Sequence, residues 1–238
     1  VQLKQNQHGK LGIIAVNQVD KGDIICQFPL SILAISDGDI FHKLKESMGT
    51  LIPDNQLSRF TLALNILYHP KKYDVIHKRI LQNYSPYKPF LFRDNELKFI
   101  KDTCAYYLIT TEKLYFDLMM TQYRHMESDI NYDAEHKLKV IYSFCTSCCH
   151  NIDIAEKSLA CIGPFSYMNS TYCDKYPKLS HQVENGKWTI YAEKDYAIGD
   201  EIMDSYRLTI QFTHPYYKNL VFTDWKIPTI ITNGIIYD

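Results

Sequence analysis

Along residues 9–35, apolar positions come in short β-branched runs separated by polar turns. Gly12-Ile13-Ile14-Ala15-Val16 reads as one strand, Asp20-Lys21-Gly22-Asp23 as a turn, and Ile24-Ile25-Cys26-Gln27-Phe28-Pro29 as a second strand stopped by proline. Ile32 to Ile35 is a candidate third. From 36 to about 158 the period becomes helical. Residues 58–67 set Phe60, Leu62, Ala63, Leu64, Ile66 and Leu67 at helical spacing. Residues 75–81 predict a short helix ended by Ser85-Pro86. Asp94 is a candidate N-cap for a helix whose apolar edge is Leu97 and Ile100. Residues 112–126 and 134–149 predict two longer helices. Their inward faces are Tyr115, Leu118, Met119 and Tyr123, then Leu138, Ile141, Tyr142 and Cys145. Strand signals return at 186–206: Trp188, Ile190 and Ala192 alternate, and Gly199-Asp200 turns the chain into Glu201-Ile202-Met203-Asp204. The tail, 207–238, holds two X-Pro steps and a last β-branched run, Thr229 to Thr232. No internal repeat and no low-complexity linker is visible. The order β, long α, β predicts one sheet system built from sequence-distant halves.

Composition narrows the class. The 238 residues are 46% hydrophobic and 22% charged, which suits a packed core and not disorder. A net charge of −1 and a pI near 6.8 argue against electrostatically driven binding to nucleic acid. No apolar run approaches the ~18 residues of a membrane span. The opening Val1-Gln2-Leu3-Lys4 carries no readable targeting signal. Seven cysteines, odd in number and irregular in spacing, fit reduced thiols in an intracellular protein, cytoplasmic or nuclear, better than a disulfide framework.

One cysteine group invites a metal. Cys145, Cys148, Cys149 and His150 hold a Cys-x-x-Cys spacing, and Cys161 and Cys173 could complete four ligands. Against zinc stands the helical pattern of 134–149, which turns Cys145 onto an apolar face, and the lack of a second Cys-x-x-Cys. We assign no metal ligand.

Four segments, in order, resemble the SET-domain protein methyltransferases, in the branch of the Rubisco large-subunit lysine methyltransferases and their actin-histidine relatives. Gly9-Lys10-Leu11-Gly12-Ile13-Ile14-Ala15, with Val19 to Ile25 and Phe28-Pro29, is similar to the family's glycine-rich opening and following turn. Gly12 matches the second glycine of that opening. Lys10 replaces the first, unless Gly9 serves through a one-residue bulge. Ile80 to Pro86 and Pro89 to Ile100 resemble a segment of the family's helical insert, with Phe92 where tryptophan is usual. Gly163-Pro164 to Ser170 resembles the asparagine-histidine motif, with Asn169 matching the asparagine and Ser170 replacing the histidine. Gly199-Asp200-Glu201-Ile202-Met203-Asp204-Ser205-Tyr206 resembles the family's last strand and its tyrosine, and Arg207 replaces the common glycine.

The resemblance implies a mostly β SET fold, a β-clip of short strands with a pseudoknot-like C-terminal crossing, interrupted by a long α-helical insert: α+β overall. It implies N-terminal strands over 1–50, the insert over 51–158, the C-terminal core over 159–208 and a short tail over 209–238. It implies S-adenosylmethionine as cosubstrate with no metal, Tyr206 as the catalytic residue, and Lys10, Leu11, Gly12, Asn169 and Ser170 at the cosubstrate. Lysine in a protein substrate is the implied acceptor. The departures gather at the pocket: Lys10, Ser147-Cys148 for the usual Ser-Arg, Ser170, and Leu67-Tyr68-His69 without the branch's acidic residue. His181 is the nearest candidate for a second channel tyrosine. No cysteine follows Tyr206, so the family's post-SET zinc segment is not expected, and the helical substrate lobe is expected to be missing or removed. Two readings stay open, an active lysine methyltransferase and a degenerate SET fold serving as a binding or assembly module.

Overall fold

The computed structural model describes residues 1–5, 11–36, 38–74, 76, 89–126, 130–154, 157–163, 168, 170–171, 179–205, 230–232 and 235–237. In chain order the strands are β1 (Gln2–Gln5), β2 (Leu11–Ile14), β3 (Ile24–Pro29), β4 (Ala34–Ile35), β5 (His150–Ile154), β6 (Lys157–Ile162), β7 (Ser170–Thr171), β8 (Ser180–Glu184), β9 (Lys187–Tyr191), β10 (Glu201–Ile202), β11 (Asp204–Ser205), β12 (Ile230–Thr232) and β13 (Ile235–Tyr237). The α-helices are α1 (Gly38–Met48), α2 (Asp54–Tyr68), α3 (Asp94–Leu97), α4 (Cys104–Met126) and α5 (Tyr132–Cys148). The class is α+β. Two compact units form. A β unit joins Val1–Leu33, Ile152–Ser158 and Ile162–Thr209, and a helical unit joins Ala34–Asn151, Leu159–Cys161 and Ile210–Asp238.

The β unit is built on a repeat. Ile13, Ala15, Gly22, Asp23 and Ile25 recur at the same offsets as Ile190, Ala192, Gly199, Asp200 and Ile202. Gly22 and Gly199 take φ of 94° and 93°, a left-handed conformation that costs any side chain. Asp23 Oδ2 accepts the Asp20 N–H at 3.0 Å, and Asp200 Oδ2 accepts the Ala197 N–H at 2.8 Å. The copies then grip each other reciprocally. Gly22 N–H donates to the Ala192 carbonyl at 2.7 Å and Gly199 N–H to the Ala15 carbonyl at 2.8 Å. Ala192 N–H returns to Asp23 and Ala15 N–H to Asp200, both at 2.9 Å, while Val19 and Tyr196 exchange both backbone bonds. Each copy's outgoing strand completes the other copy's hairpin: β3 lies on β9 in the sheet β3-β9-β8, and β10 lies on β2 in the sheet β1-β2-β10. The expectation of no internal repeat is overturned. Five shared positions spread thinly between variable ones leave no visible periodicity, and the backbone carries the symmetry.

Burial follows the alternation only in part. Trp188, Ile190 and Ala192 are buried as predicted, but so is Thr189. Its hydroxyl accepts from Gln27 Nε2 at 3.0 Å across the sheet, which satisfies the polar atom there.

In the helical unit, α2 is buried almost all round, from Leu57 through Ile66. Phe60 meets Phe116, Tyr123 and Tyr142 edge-on at ring distances of 5.6, 6.3 and 6.3 Å. Phe116 and Met120 are core residues of α4 that the sequence pattern passed over; Met119 and Tyr123 are buried as predicted, and Tyr115 and Leu118 are only half-buried. Leu138, Ile141, Tyr142 and Cys145 are buried as predicted. Asp94 is the first residue of α3 and not its cap: Arg93 holds that position, its N–H donating to Glu96 Oε2 at 2.7 Å. The helical reading also overran, since β5 and β6 occupy part of 150–162, where Ile152 and Ile154 alternate with polar neighbours. β4, β6 and β5 form a third three-stranded sheet in that order, and Ser58 of α2 bonds to it: Ser58 donates to Ser36 Oγ at 3.0 Å and accepts the Ala160 N–H at 2.7 Å. The helix predicted over 75–81 lies largely outside the described residues.

Candidate functional site

The two outgoing strands behave differently, and the candidate site lies where they part. β3 runs six residues along β9, passing a bulge between Ile24 and Cys26 that keeps it in the sheet. β10 pairs with β2 for two residues only, Glu201 with Ile14 and Ile202 with Ile13, and stops one residue short of Gly12. After Met203 the chain re-pairs: β11 runs parallel to β7, Asp204 beside Ser170 and Ser205 beside Thr171. Residues 201–205 therefore join the strand of Leu11 and Gly12 to the strand of Ser170, bringing together three segments distant in sequence.

Gly12 sits buried in the middle strand of its sheet, opposite Lys4. Its equivalent in the second copy is Thr189, which fills the same place with a buried side chain. The positive-φ glycines do not include Gly12, so what glycine provides there is the missing side chain and not a special backbone angle. Asp204, a residue that sequence reasoning did not single out, accepts the Leu179 N–H through Oδ1 at 3.2 Å. That bond pins the entry to β8 beside the β7–β11 pair. The only sequence signal was a carboxylate two residues before the end of the motif.

Of the expected site residues, Leu11 and Gly12 lie on β2 and Ser170 on β7. Lys10, Asn169 and Tyr206 lie outside the described residues; each adjoins one of the strands just named. His181 is elsewhere. It stands on β8 opposite Ile190, its ring 5.5 Å from Trp188, in the sheet completed by β3. A cleft of about 350 Å³ at the Asp20–Asp23 turn, lined by Lys21, Ser180, Gln182, Tyr191 and Glu193, contains none of the expected residues.

Among the described residues, which leave out Cys173 and the Cys148 side chain, no group of three His, Cys, Asp or Glu side chains could hold a metal. The helix α5 carries Cys145 into the core, fully buried. Burial pushes the Cys161 thiol well up, the neighbouring Cys149 adds to this, and a backbone hydrogen bond from His150 opposes it. Burial likewise raises Cys26 to about 12. Thiols held protonated are poor ligands and poor nucleophiles.

No protein-family model matches the sequence, and no curated protein sequence matches it. Solved structures do. The SET domain of LSMT bound to lysine and AdoHcy superposes with a TM-score of 0.62 at 11% identity, covering 94% of this chain and 51% of that one. Rubisco LSMT bound to sinefungin and monomethyllysine gives 0.59 at 12% identity, covering 98% and 52%, and Rubisco LSMT bound to AdoMet gives 0.57 at 12%, covering 94% and 51%. The chain spans about half the length of these structures. Among the described residues no helix is long and apolar enough to cross a membrane. The coverage of nearly the whole chain assigns the fold: the chain has the SET-domain architecture seen in Rubisco LSMT.

Proposed function

We propose that the protein is an S-adenosylmethionine-dependent protein methyltransferase that acts on a lysine side chain. The observation that carries this is the parallel pairing of β11 with β7, which joins the segment entering Tyr206 to the segment leaving Asn169 beside the Gly12 strand. The similar structures are described with AdoMet, AdoHcy, lysine and monomethyllysine. Gly12 carries no side chain to keep a ligand from the backbone, where Thr189 fills the corresponding place in the other copy.

S-adenosylmethionine supplies the methyl group: a new N–C bond forms as the S–C bond breaks, and S-adenosylhomocysteine leaves. In this reading the chain's own residues position the two substrates, and the acceptor ammonium gives its proton to solvent before the transfer. Lys10, Leu11 and Gly12 border the cosubstrate through backbone, and Asn169 and Ser170 hold its methionine end. The Tyr206 hydroxyl orients the acceptor nitrogen at the transferring methyl. Burial lowers the acceptor lysine's pKa and so favours the neutral amine that reacts. No metal takes part. The SET crossing of the C-terminal segment, the helical insert over 51–158, the C-terminal core over 159–208 and an intracellular location complete the proposal. The substitutions at Lys10 and Ser170 favour a second reading, a SET fold that has lost catalysis and serves as an assembly module.

Thermal melting with S-adenosylmethionine separates the two. A ligand present at 100 times its dissociation constant stabilises the native state by ~2.7 kcal/mol, so a clear rise in Tm is expected. No shift at millimolar cosubstrate selects the assembly module. Methylation of lysine-containing protein, abolished in Tyr206→Phe, is the catalytic test; unchanged activity in that variant removes Tyr206 from its role.

A further inference from the structure

The helical unit carries a second recessed surface, remote in sequence from residues 201–205. A groove of about 410 Å³ runs between α3 with its following turn and one face of α4. Leu97 and Tyr106 give it an apolar floor and Leu114 an apolar rim, and Leu97 belongs to a small core with Ala105 and Ile109. The charges on its walls fall into two groups. Lys113 is committed: its ammonium donates to the Phe92 carbonyl, and Asp94 and Asp117 both draw on it, against a burial that lowers its pKa. Lys98 and Lys101 are not. Both are exposed on the groove, and among the described residues neither side-chain ammonium makes a hydrogen bond or ion pair. Large apolar side chains on the same elements are exposed. Phe99, between Lys98 and Ile100, is 90% exposed; Tyr107 and Leu114, seven apart and so on one face of α4, are 67% and 56% exposed. Contiguous exposed apolar surface rimmed by charge marks interaction sites.

We propose that this groove docks an acidic amphipathic segment of a partner protein. Its apolar side chains would seat on Leu97, Tyr106 and Leu114, and its carboxylates would pair with Lys98 and Lys101. The sign of the two uncommitted charges selects an acidic occupant, and the apolar floor selects one with leucine-like or aromatic anchors at helical spacing. This inference does not rest on methyl transfer and holds for either reading above.

The probe is a fluorescein-labelled peptide of leucine and glutamate at helical spacing, measured by fluorescence anisotropy against the intact chain. Saturable binding is expected, weakened about tenfold or more in the double variant Lys98→Glu/Lys101→Glu and in Leu114→Arg, and restored to the double variant by the matching leucine–lysine peptide. These positions are exposed, and unchanged melting curves without peptide confirm that the variants fold. Three outcomes overturn the proposal: no binding to the unaltered chain, binding indifferent to charge reversal, or equal binding of a glutamate–serine peptide, which would reduce the effect to bulk attraction. Concentration-dependent self-association of the unaltered chain that Leu114→Arg abolishes would also overturn it, by giving the face to a second copy.

Discussion

The two copies of the β-unit turn share a glycine angle, an aspartate bond and a reciprocal grip, yet only one leads into the candidate site. In the Ile13–Ile25 copy the outgoing strand bulges once and stays in its sheet, over a partner strand whose Thr189 is buried and bonded to Gln27. In the Ile190–Ile202 copy the outgoing strand leaves after two residues, just before a bare glycine, and finds β7 instead. The local turn code is thus structural. The candidate site lies where the copies differ, at Gly12 against Thr189 and at the early exit of residues 203–205.

Exchanging the differing residues gives the largest expected effect. Gly12→Thr places in the first copy the side chain that the second already accommodates. We expect S-adenosylmethionine binding to fall by about a hundredfold, the scale of loss from a small misplacement at a reacting centre, with little change in Tm. Thr189→Gly should do the reverse: it removes a buried side chain and its hydrogen bond, costing about 2–3 kcal/mol by denaturant titration, and leaves cosubstrate affinity unchanged. Next come the shared glycines. Gly22→Ala and Gly199→Ala should each cost about 1–2 kcal/mol, since both force a side chain into left-handed backbone. Calorimetry should find weakened cosubstrate binding in Gly199→Ala alone.

The shared aspartates come third. Asp23→Ala and Asp200→Ala each lose one bond to a turn N–H and should lower stability alike, by about 1 kcal/mol. Unequal losses would break the symmetry drawn here. The smallest effect concerns pH. Cys26 corresponds to Met203 in the other copy, and only the thiol titrates. Burial raises Cys26 to about 12 in the folded chain, above the ~8.5 of an unfolded thiol. Its contribution is therefore complete below pH ~8.5 and is lost as pH rises toward 12, because the unfolded chain releases the proton first. Urea midpoints measured across that window should fall, and Cys26→Ala should flatten part of the slope, with Cys161 supplying the same sign.

Much of the architecture was legible in the sequence. β-branched runs beside Gly-Asp turns marked β3 and β9, and helical spacing marked α2 and α5. The resemblance of four ordered motifs anticipated the SET fold. Other features were not legible, for identifiable reasons. Parallel pairing of two-residue strands such as β7 and β11 leaves no periodicity, because no strand is long enough to alternate. Thr189 is polar and buried, so alternation assigns it to solvent until Gln27 is seen to satisfy it. The inward face of α4 is set by Phe116 through packing with Phe60 and Phe90, and an aromatic-rich helix offers several faces that look equally apolar. The groove beside Lys98 and Lys101 arises from two separate helices and has no linear signature.

The central claim is that residues 11–14, 170–171 and 201–205 form one cosubstrate-binding surface. Hydrogen exchange read by mass spectrometry, with and without saturating S-adenosylmethionine, tests it most directly. The account predicts slowed exchange in those three segments together, and none across Val19–Ile25, the matching stretch of the other copy. Unchanged exchange throughout, or protection that falls equally on both copies, would contradict it.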